Sequence, residues 1–247
     1  MLDIEEQSGV TVIRMRHGKV NALDLELLRA ITTAVRGVDE HRAVVITGSG
    51  AAFSAGVDLR RIVADGPEYV GEFLPALSET FQTIFDHPAP VVAAVNGHAI
   101  AGGCVIATAC DLRVMSQGTI GLAELSVGVP FPTSALEILR HVLGAAVSRM
   151  VLTASLLDPP QALAIGLIDF IERPEDLLVT AIGHAQRLAR IPPAAFSLSK
   201  RQLQQPARAR IEDRRDDDRA VAAAWASDQT RQAIAEYLAT IAGRPRP

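Results

Sequence analysis

Two glycine-containing stretches, each directly after a short apolar run, could aim backbone N–H groups at one point. They are AAFSAGVDL at residues 51–59 and AIAGGCVIATACDL at residues 99–112. Glycine lets the backbone approach a ligand closely and adopt dihedral angles that other residues avoid. Two such turns side by side would form an oxyanion hole, in which preorganised N–H donors stabilise developing negative charge. The pattern by itself is also that of ordinary turns, so both interpretations stay open at this point.

Glu124, in the stretch IGLAELSVGVP, is the candidate for proton transfer. Its neighbours are Ala123 and Leu125. Apolar surroundings raise the pKa of a carboxyl group by desolvation, which suits a proton-transferring group near neutral pH. The alternative is a surface glutamate on an alternating strand. The six histidines and two cysteines form no nucleophile arrangement or metal-ligand spacing, so no metal site is predicted.

The elements that must position these groups follow an alternating strand and helix pattern. Short runs rich in valine and isoleucine predict strands buried on both faces, at residues 10–15, 43–48 and 90–97. Helical spacing predicts a helix between the first two strands, with Asn21 as its N-cap and Gly37 near its end. A second helix, predicted near residues 69–85, contains Pro75, which should lie at a boundary or kink. A short buried helix is expected at residues 104–110, followed by strands in DLRVM and GTIGL. The pattern is mostly helical from Pro132 onward.

Composition indicates one large α/β domain or a domain with a small appendage. The chain has 247 residues, of which 49% are hydrophobic and 21% charged. A net charge of -4 without a basic block argues against a nucleic-acid partner. The acidic start MLDIEEQSGV lacks the pattern of a signal peptide, and no run of about 20 apolar residues predicts a membrane span. We therefore expect a cytoplasmic protein without a membrane partner.

Four segments resemble, in the correct order, the conserved segments of the crotonase (enoyl-CoA hydratase/isomerase) superfamily. GAAFSAGVDL is similar to the first signature, AVNGHAIAGGCVIATACDLRVM to the second and IGLAELSVGVP to the third, while KVNALDLELL resembles the early segment. The resemblance implies an α/β fold, a ClpP-like spiral of β-β-α units. It also implies a crotonase-type acyl-CoA-binding catalytic core at residues 1–190 and a C-terminal helical oligomerisation region at residues 191–247. A homotrimer, or a hexamer built as a dimer of trimers, is expected from it.

The resemblance assigns roles to individual residues. It implies that the backbone N–H groups of Val57 and Gly102 bind the oxygen of an acyl-CoA thioester, and that Glu124 is catalytic. Alanine at the first position of the AGG trio, Ala101, leaves the Gly102 donor intact. Substrate-binding positions implied by the match are Ala55, Gly56, Asp58, Leu59, Gly103 and Ala123. No cofactor is expected, because coenzyme A is part of the substrate.

The carboxylates of the matched segments bear on the reaction type. Hydratases of this family place two glutamates around the water that adds to the double bond, and the positions here hold Val105 and Glu124. One carboxylate suffices to move a double bond from carbon 3 to carbon 2. The chain most resembles the mitochondrial-type Δ3,Δ2-enoyl-CoA isomerases of β-oxidation, which also have an apolar residue at the first position and glutamate at the second. Two alternatives stay open: a hydratase that uses Glu124 with another carboxylate, and a non-catalytic acyl-CoA-binding homologue.

Overall fold

The computed structural model describes residues 1–242 as ten strands, ten helices and one short 3-10 helix. The strands are β1 (Leu2–Gln7), β2 (Val10–Met15), β3 (Val44–Thr47), β4 (Ala52–Ser54), β5 (Val91–Val95), β6 (His98–Ile100), β7 (Leu112–Met115), β8 (Ile120–Gly121), β9 (Leu156–Leu157) and β10 (Phe170–Ile171). The helices are α1 (Leu25–Gly37), α2 (Leu59–Asp86), α3 (Gly102–Ala109), α4 (Thr133–Leu143), α5 (Ala146–Leu152), α6 (Pro159–Ala164), α7 (Leu177–Ala189), α8 (Pro193–Asp213), α9 (Arg215–Trp225) and α10 (Asp228–Ala242). The 3-10 helix is Glu124–Val127.

From β3 to β8, successive strands alternate between two sheets, and this alternation builds a repeating unit. One sheet has the order β1-β2-β3-β5-β7-β10, and the other has the order β4-β6-β8-β9. The units β3-β4-α2 and β5-β6-α3 each give their first strand to the larger sheet and their second to the smaller one. Neighbouring units are joined by the parallel pairs β3 with β5 and β4 with β6. The fold is therefore the predicted spiral of β-β-α units.

The central strands are apolar throughout because both faces of the larger sheet are covered. Val44 and Ile46 of β3 pack into the main core with α1 and α2. Val45, which points to the opposite face, packs in a second cluster with Ala181 of α7. The strands predicted at residues 10–15, 43–48 and 90–97 are confirmed as β2, β3 and β5.

Three local predictions differ from the structure. The N-cap of α1 is Asp24, whose side chain accepts from the backbone N–H of Leu27, while Asn21 makes contacts elsewhere. Helix α2 breaks at Gly66, where φ is 71°, and runs on through Pro75. Strand β1 was not predicted, because its sequence LDIEEQ is acidic; in the structure it is an edge strand whose residues are half-buried or exposed.

The C-terminal helices lie against the main core of the same chain. Trp225 of α9 and Ile234 of α10 are buried, and Val221 and Leu238 pack beside them. Helix α10 contacts α2 and the 3-10 helix. The apolar face of the predicted tail is thus covered, in the described residues, by the chain itself. The division into regions at residue 190 stays a prediction, and residues 243–247 of the second region lie outside the described part.

Candidate active site

Parallel pairing of β4 with β6 brings the two glycine-containing turns side by side. The turn after β4 contains Gly56, where φ is +87°, and the turn after β6 contains Ala101. A Cβ placed on Gly56 would lie 2.7 Å from the carbonyl oxygen of Ile100 and 3.0 Å from the Cβ of Ala101. The turns are therefore in direct contact, and only glycine fits at residue 56 without displacing the second turn.

The direction of the Val57 N–H is fixed by a hydrogen bond to the other end of its peptide unit. The carbonyl of Gly56 accepts from the N–H of Leu23 at 2.7 Å, and the N–H of Asp58 donates to the carbonyl of Leu23 at 2.9 Å. In a trans peptide the C=O and the following N–H point in opposite directions. The N–H of Val57 consequently points away from Leu23.

The N–H of Gly102 is oriented in the same way by the start of α3. The carbonyl of Ala101 accepts from the N–H of Val105 at 3.1 Å and so points along the helix. The N–H of Gly102, in the same peptide unit, points outward from the helix N-terminus, where N–H groups have no intrahelical acceptor. Ala101 itself is anchored to β8, because its N–H donates to the carbonyl of Gly121 at 2.8 Å.

Ala101 adopts a backbone conformation that alanine rarely occupies. Its φ is 53° and its ψ is -123°, a region in which a non-glycine residue stores roughly 1–3 kcal/mol of strain. Such strain persists only where the surrounding structure holds it, and it concentrates at functional sites. The sequence predicted that alanine leaves the neighbouring donor intact, but it gave no sign of this strain.

Glu124 is a buried residue at the start of the 3-10 helix, not a surface residue on a strand. It is 8% exposed, and no donor in residues 1–242 hydrogen-bonds to its buried Oε2. Burial raises the pKa of Glu124 to about 7, although the backbone N–H groups of Glu124 and Ala123 favour its charged form. A carboxyl group with such a pKa can both accept and release a proton near neutral pH.

Glu124 lies close to helix α3, which carries the second turn. Burial is the main cause that raises the pKa of the Cys104 thiol to about 12, and the charge of Glu124 adds to it. Val105, one turn after Gly102 on the same face of α3, is 1% exposed. Residue 105, which the sequence resemblance aligns with a second glutamate of the hydratases, therefore has a buried apolar side chain.

The other predicted substrate-binding residues lie around the two turns and the 3-10 helix. Ala55 is exposed at the first turn, and Asp58 caps α2 by accepting from the N–H groups of Arg60 and Arg61. Leu59 begins α2, Gly103 is buried in the first turn of α3, and Ala123 directly precedes the 3-10 helix. Their contacts with a substrate stay predictions.

Two residues to which the sequence analysis gave no role in the site hold the first turn in place. The side-chain amide of Asn21 donates to the carbonyls of Ala52 and Phe53, both at 3.1 Å. The hydroxyl of Ser54 donates to the carbonyl of Asn21 at 2.7 Å. Asn21 is 1% exposed and has a φ of 50°. A polar residue in an apolar segment is a weak signal for such a role, and its partners are too distant in sequence to be inferred.

Two further observations concern metal ligands and membrane spans in the described part of the chain. Within residues 1–242, no group of three or more His, Cys, Asp or Glu side chains is arranged to hold a metal ion. In the same range, no helix has the length and apolar character needed to cross a membrane.

Comparison with known families gives a match over nearly the whole chain. The profile of the family described as enoyl-CoA hydratase/isomerase matches residues 5–242. Over 226 residues the chain is 27% identical to human "Enoyl-CoA delta isomerase 1, mitochondrial", a match covering 88% of this chain and 75% of that protein. It is 32% identical over 210 residues to a "Putative enoyl-CoA hydratase" of Thermus thermophilus, covering 82% and 83%.

Among solved structures, one strong match is the human mitochondrial delta3-delta2-enoyl-CoA isomerase. The TM-score is 0.91 at 26% identity, and the match covers 98% of each chain. The likeness confirms the crotonase fold that the sequence segments implied. The sequence relatives include proteins named as isomerases and proteins named as hydratases, so the names alone do not choose between the two reactions.

Proposed function

The chain is an enzyme of the enoyl-CoA hydratase/isomerase family, and we propose that it moves a double bond of an enoyl-CoA from carbon 3 to carbon 2. The observation that carries this proposal is the combination of one buried carboxyl group, Glu124, with a buried valine at residue 105. Adding water needs groups that hold and deprotonate the water and protonate the α-carbon. The Val105 side chain can neither hydrogen-bond to water nor transfer a proton, whereas isomerisation needs only one group that removes and returns a proton.

In the proposed reaction the thioester oxygen accepts hydrogen bonds from the N–H groups of Val57 and Gly102. The directions of both N–H groups are fixed by their own peptide units. Donors held in advance at the position where charge develops are often worth ~3 kcal/mol each in transition-state stabilisation. The substrate is an acyl-CoA thioester, and no cofactor takes part.

Glu124 then acts as the proton shuttle. Its carboxylate removes a proton from carbon 2, and the electron pair of that C–H bond moves into the thioester to form an enolate. The enolate collapses as Glu124 returns the proton to carbon 4, which leaves the double bond between carbons 2 and 3. A pKa of about 7 for Glu124 supports both halves of this cycle, because neither protonation state is strongly disfavoured at neutral pH. The apolar Val105 disfavours water, which would compete for the intermediate.

A side-by-side assay tests the proposal against its two alternatives. The purified protein and Glu124→Gln are given a 3-enoyl-CoA and, separately, crotonyl-CoA, and formation of the 2-enoyl and 3-hydroxy products is followed. The proposal expects isomerisation by the unmodified protein and none by the folded variant. Hydration of crotonyl-CoA without turnover of the 3-enoyl-CoA would favour the hydratase. Tight acyl-CoA binding with neither reaction would favour a binding protein.

The assembly and cellular setting complete the proposal. A trimer or a dimer of trimers, a cytoplasmic location and a role in β-oxidation of unsaturated fatty acids are the settings that the sequence resemblance implies for such an isomerase. Sedimentation velocity over a range of concentrations tests the first, because a concentration-independent monomer would contradict it.

A further inference from the structure

Ser54 lies between the two turns that carry the proposed N–H donors. It is the last residue of β4 and is fully buried, with 0% of its surface exposed. We propose that Ser54 is a positioning residue that sets the separation and direction of the donors Val57 and Gly102. This inference rests on the proposed function, since it assumes that the two N–H groups bind a thioester oxygen.

The Ser54 hydroxyl links the first turn to the segment before α1. It donates to the carbonyl of Asn21 at 2.7 Å and accepts from the N–H of Gly56 at 3.2 Å. Gly56 immediately precedes Val57, and its carbonyl shares a peptide unit with the Val57 N–H. The hydroxyl therefore fixes one side of Gly56 while Leu23 fixes the other through the 2.7 Å bond to the Gly56 carbonyl.

The backbone of Ser54 touches the second turn. A Cβ placed on Gly103 would lie 2.4 Å from the Ser54 carbonyl oxygen and 2.9 Å from the Ser54 Cβ. The Cα of Gly103 is thus packed directly on Ser54, one residue after the proposed donor Gly102. The second turn is therefore located by the backbone and the Cβ of Ser54, which a substitution by alanine would keep.

These contacts make the Ser54 hydroxyl the group whose removal would change the position of the first turn. Asn21 holds the carbonyls of Ala52 and Phe53, and Ser54 holds Asn21. Removing the Ser54 hydroxyl would leave the N–H of Gly56 and the carbonyl of Asn21 without that partner in a buried place, which drives the first turn to shift. A displacement of about 1 Å at a reacting group is enough to slow catalysis by ~100-fold.

The test compares Ser54→Ala with Ser54→Cys and with the control Thr47→Val. Thr47 of β3 is also buried, and its hydroxyl donates at 2.8 Å to the carbonyl of Ala94, which is in β5 and outside both turns. Three quantities are measured for each protein: kcat and KM for a 3-enoyl-CoA, melting temperature, and the infrared carbonyl stretch of a bound saturated acyl-CoA carrying 13C at the thioester carbon.

Ser54→Ala should lower kcat by ~10- to 100-fold with a smaller change in KM, and the bound carbonyl should be less polarised than in the unmodified protein. Ser54→Cys has a weaker donor, so its kcat and carbonyl stretch should lie between those of the unmodified protein and those of Ser54→Ala. It also provides the test if the alanine variant does not fold. Thr47→Val should lower the melting temperature without changing kcat or the carbonyl stretch.

The outcomes separate the two proposals. If the unmodified protein polarises the carbonyl and turns over substrate, and both Ser54 variants have the same carbonyl stretch and kcat as it has, the positioning role alone is overturned. Equal losses of kcat in Ser54→Ala and Thr47→Val would also overturn it, because the effect would then be general destabilisation. An unmodified protein that neither polarises the carbonyl nor turns over would overturn the proposed function, and the positioning role with it.

Discussion

The indole Nε1 of Trp225 donates to the carbonyl of Pro130 at 2.8 Å. This bond ties α9 to the segment that follows the 3-10 helix of Glu124. Nearby, a Cβ placed on Gly128 would lie 3.4 Å from the Cβ of Ala233 in α10. The C-terminal helices therefore cover the segment that follows Glu124, and α10 also contacts the 3-10 helix that begins with this residue.

Loosening this cover should lower the pKa of Glu124. Trp225→Ala removes both the indole packing and the bond to Pro130, while Trp225→Phe removes the bond and keeps most of the packing. Water admitted by the alanine variant stabilises the charged carboxylate, so the pKa should fall towards the ordinary value for glutamate. The pH dependence of kcat/KM for isomerisation measures the shift, and the phenylalanine variant should shift less. An unaltered profile in a folded Trp225→Ala protein would show that the cover does not control Glu124.

The pH dependence of the unmodified enzyme should follow the ionisation of Glu124. The base must be charged in the free enzyme, and burial raises its pKa to about 7. Activity measured as kcat/KM should therefore rise with pH and level off above about pH 7, rather than above the ordinary range of about 4 to 5. Acyl-CoA affinity measured over the same range by calorimetry separates this titration from ionisation of the coenzyme phosphates. A rate already constant at about pH 5 would argue against Glu124 as the base.

The same pKa shift predicts a stability difference between the enzyme and Glu124→Gln. The pKa of Glu124 is about 7 in the folded state, whereas the ordinary value for a glutamate is 4.5, so the folded state binds the proton more tightly. The stabilisation that comes from binding this proton is fully present below the unfolded pKa and is lost as the pH rises through the folded pKa. The difference between the two values corresponds to about 3 kcal/mol.

Glu124→Gln cannot ionise and should escape this loss. Its unfolding free energy relative to the unmodified enzyme should therefore increase by about 3 kcal/mol between about pH 4 and about pH 8. Urea denaturation at the two pH values measures it, and any constant effect of the amide cancels in the comparison. Parallel pH profiles for the two proteins would mean that Glu124 is not desolvated.

Much of this site could be expected from the sequence, because its parts are local. The apolar runs ended by glycine predicted β3 and β5, and the short buried helix after Gly102 was recovered as α3. Segment resemblance supplied the candidate roles of Val57, Gly102 and Glu124. Local pattern alone left Glu124 open as a surface strand residue, since an A-E-L sequence gives no information on what packs over it.

What the sequence did not predict depends on contacts between distant residues. Asn21 and Asp24 are both good N-cap types. The amide of Asn21 instead binds the carbonyls of β4, about 30 residues away, and Asp24 takes the cap. The role of Ser54 arises because β4 and β6 are paired, and these strands are only three residues long. No periodicity can be read from so short a strand, and the strain at Ala101 likewise appears only when both turns are assembled.

A carboxylate introduced at residue 105 should change the ratio of hydration to isomerisation. Val105 is buried on the face of α3 that carries Gly102, and Glu124 lies near the same helix. Val105→Glu would supply a second group able to hold water and exchange a proton, at the expense of stability because it buries a carboxyl group. We expect lower total activity but a ratio of hydration to isomerisation raised by ~10-fold or more. Parallel assays with crotonyl-CoA and a 3-enoyl-CoA measure the ratio.

Val105→Gln is the matched control, since its amide binds water but cannot transfer the proton, and its ratio should stay low. If the glutamate variant folds, binds acyl-CoA and keeps the original ratio, Val105 does not decide between isomerisation and hydration.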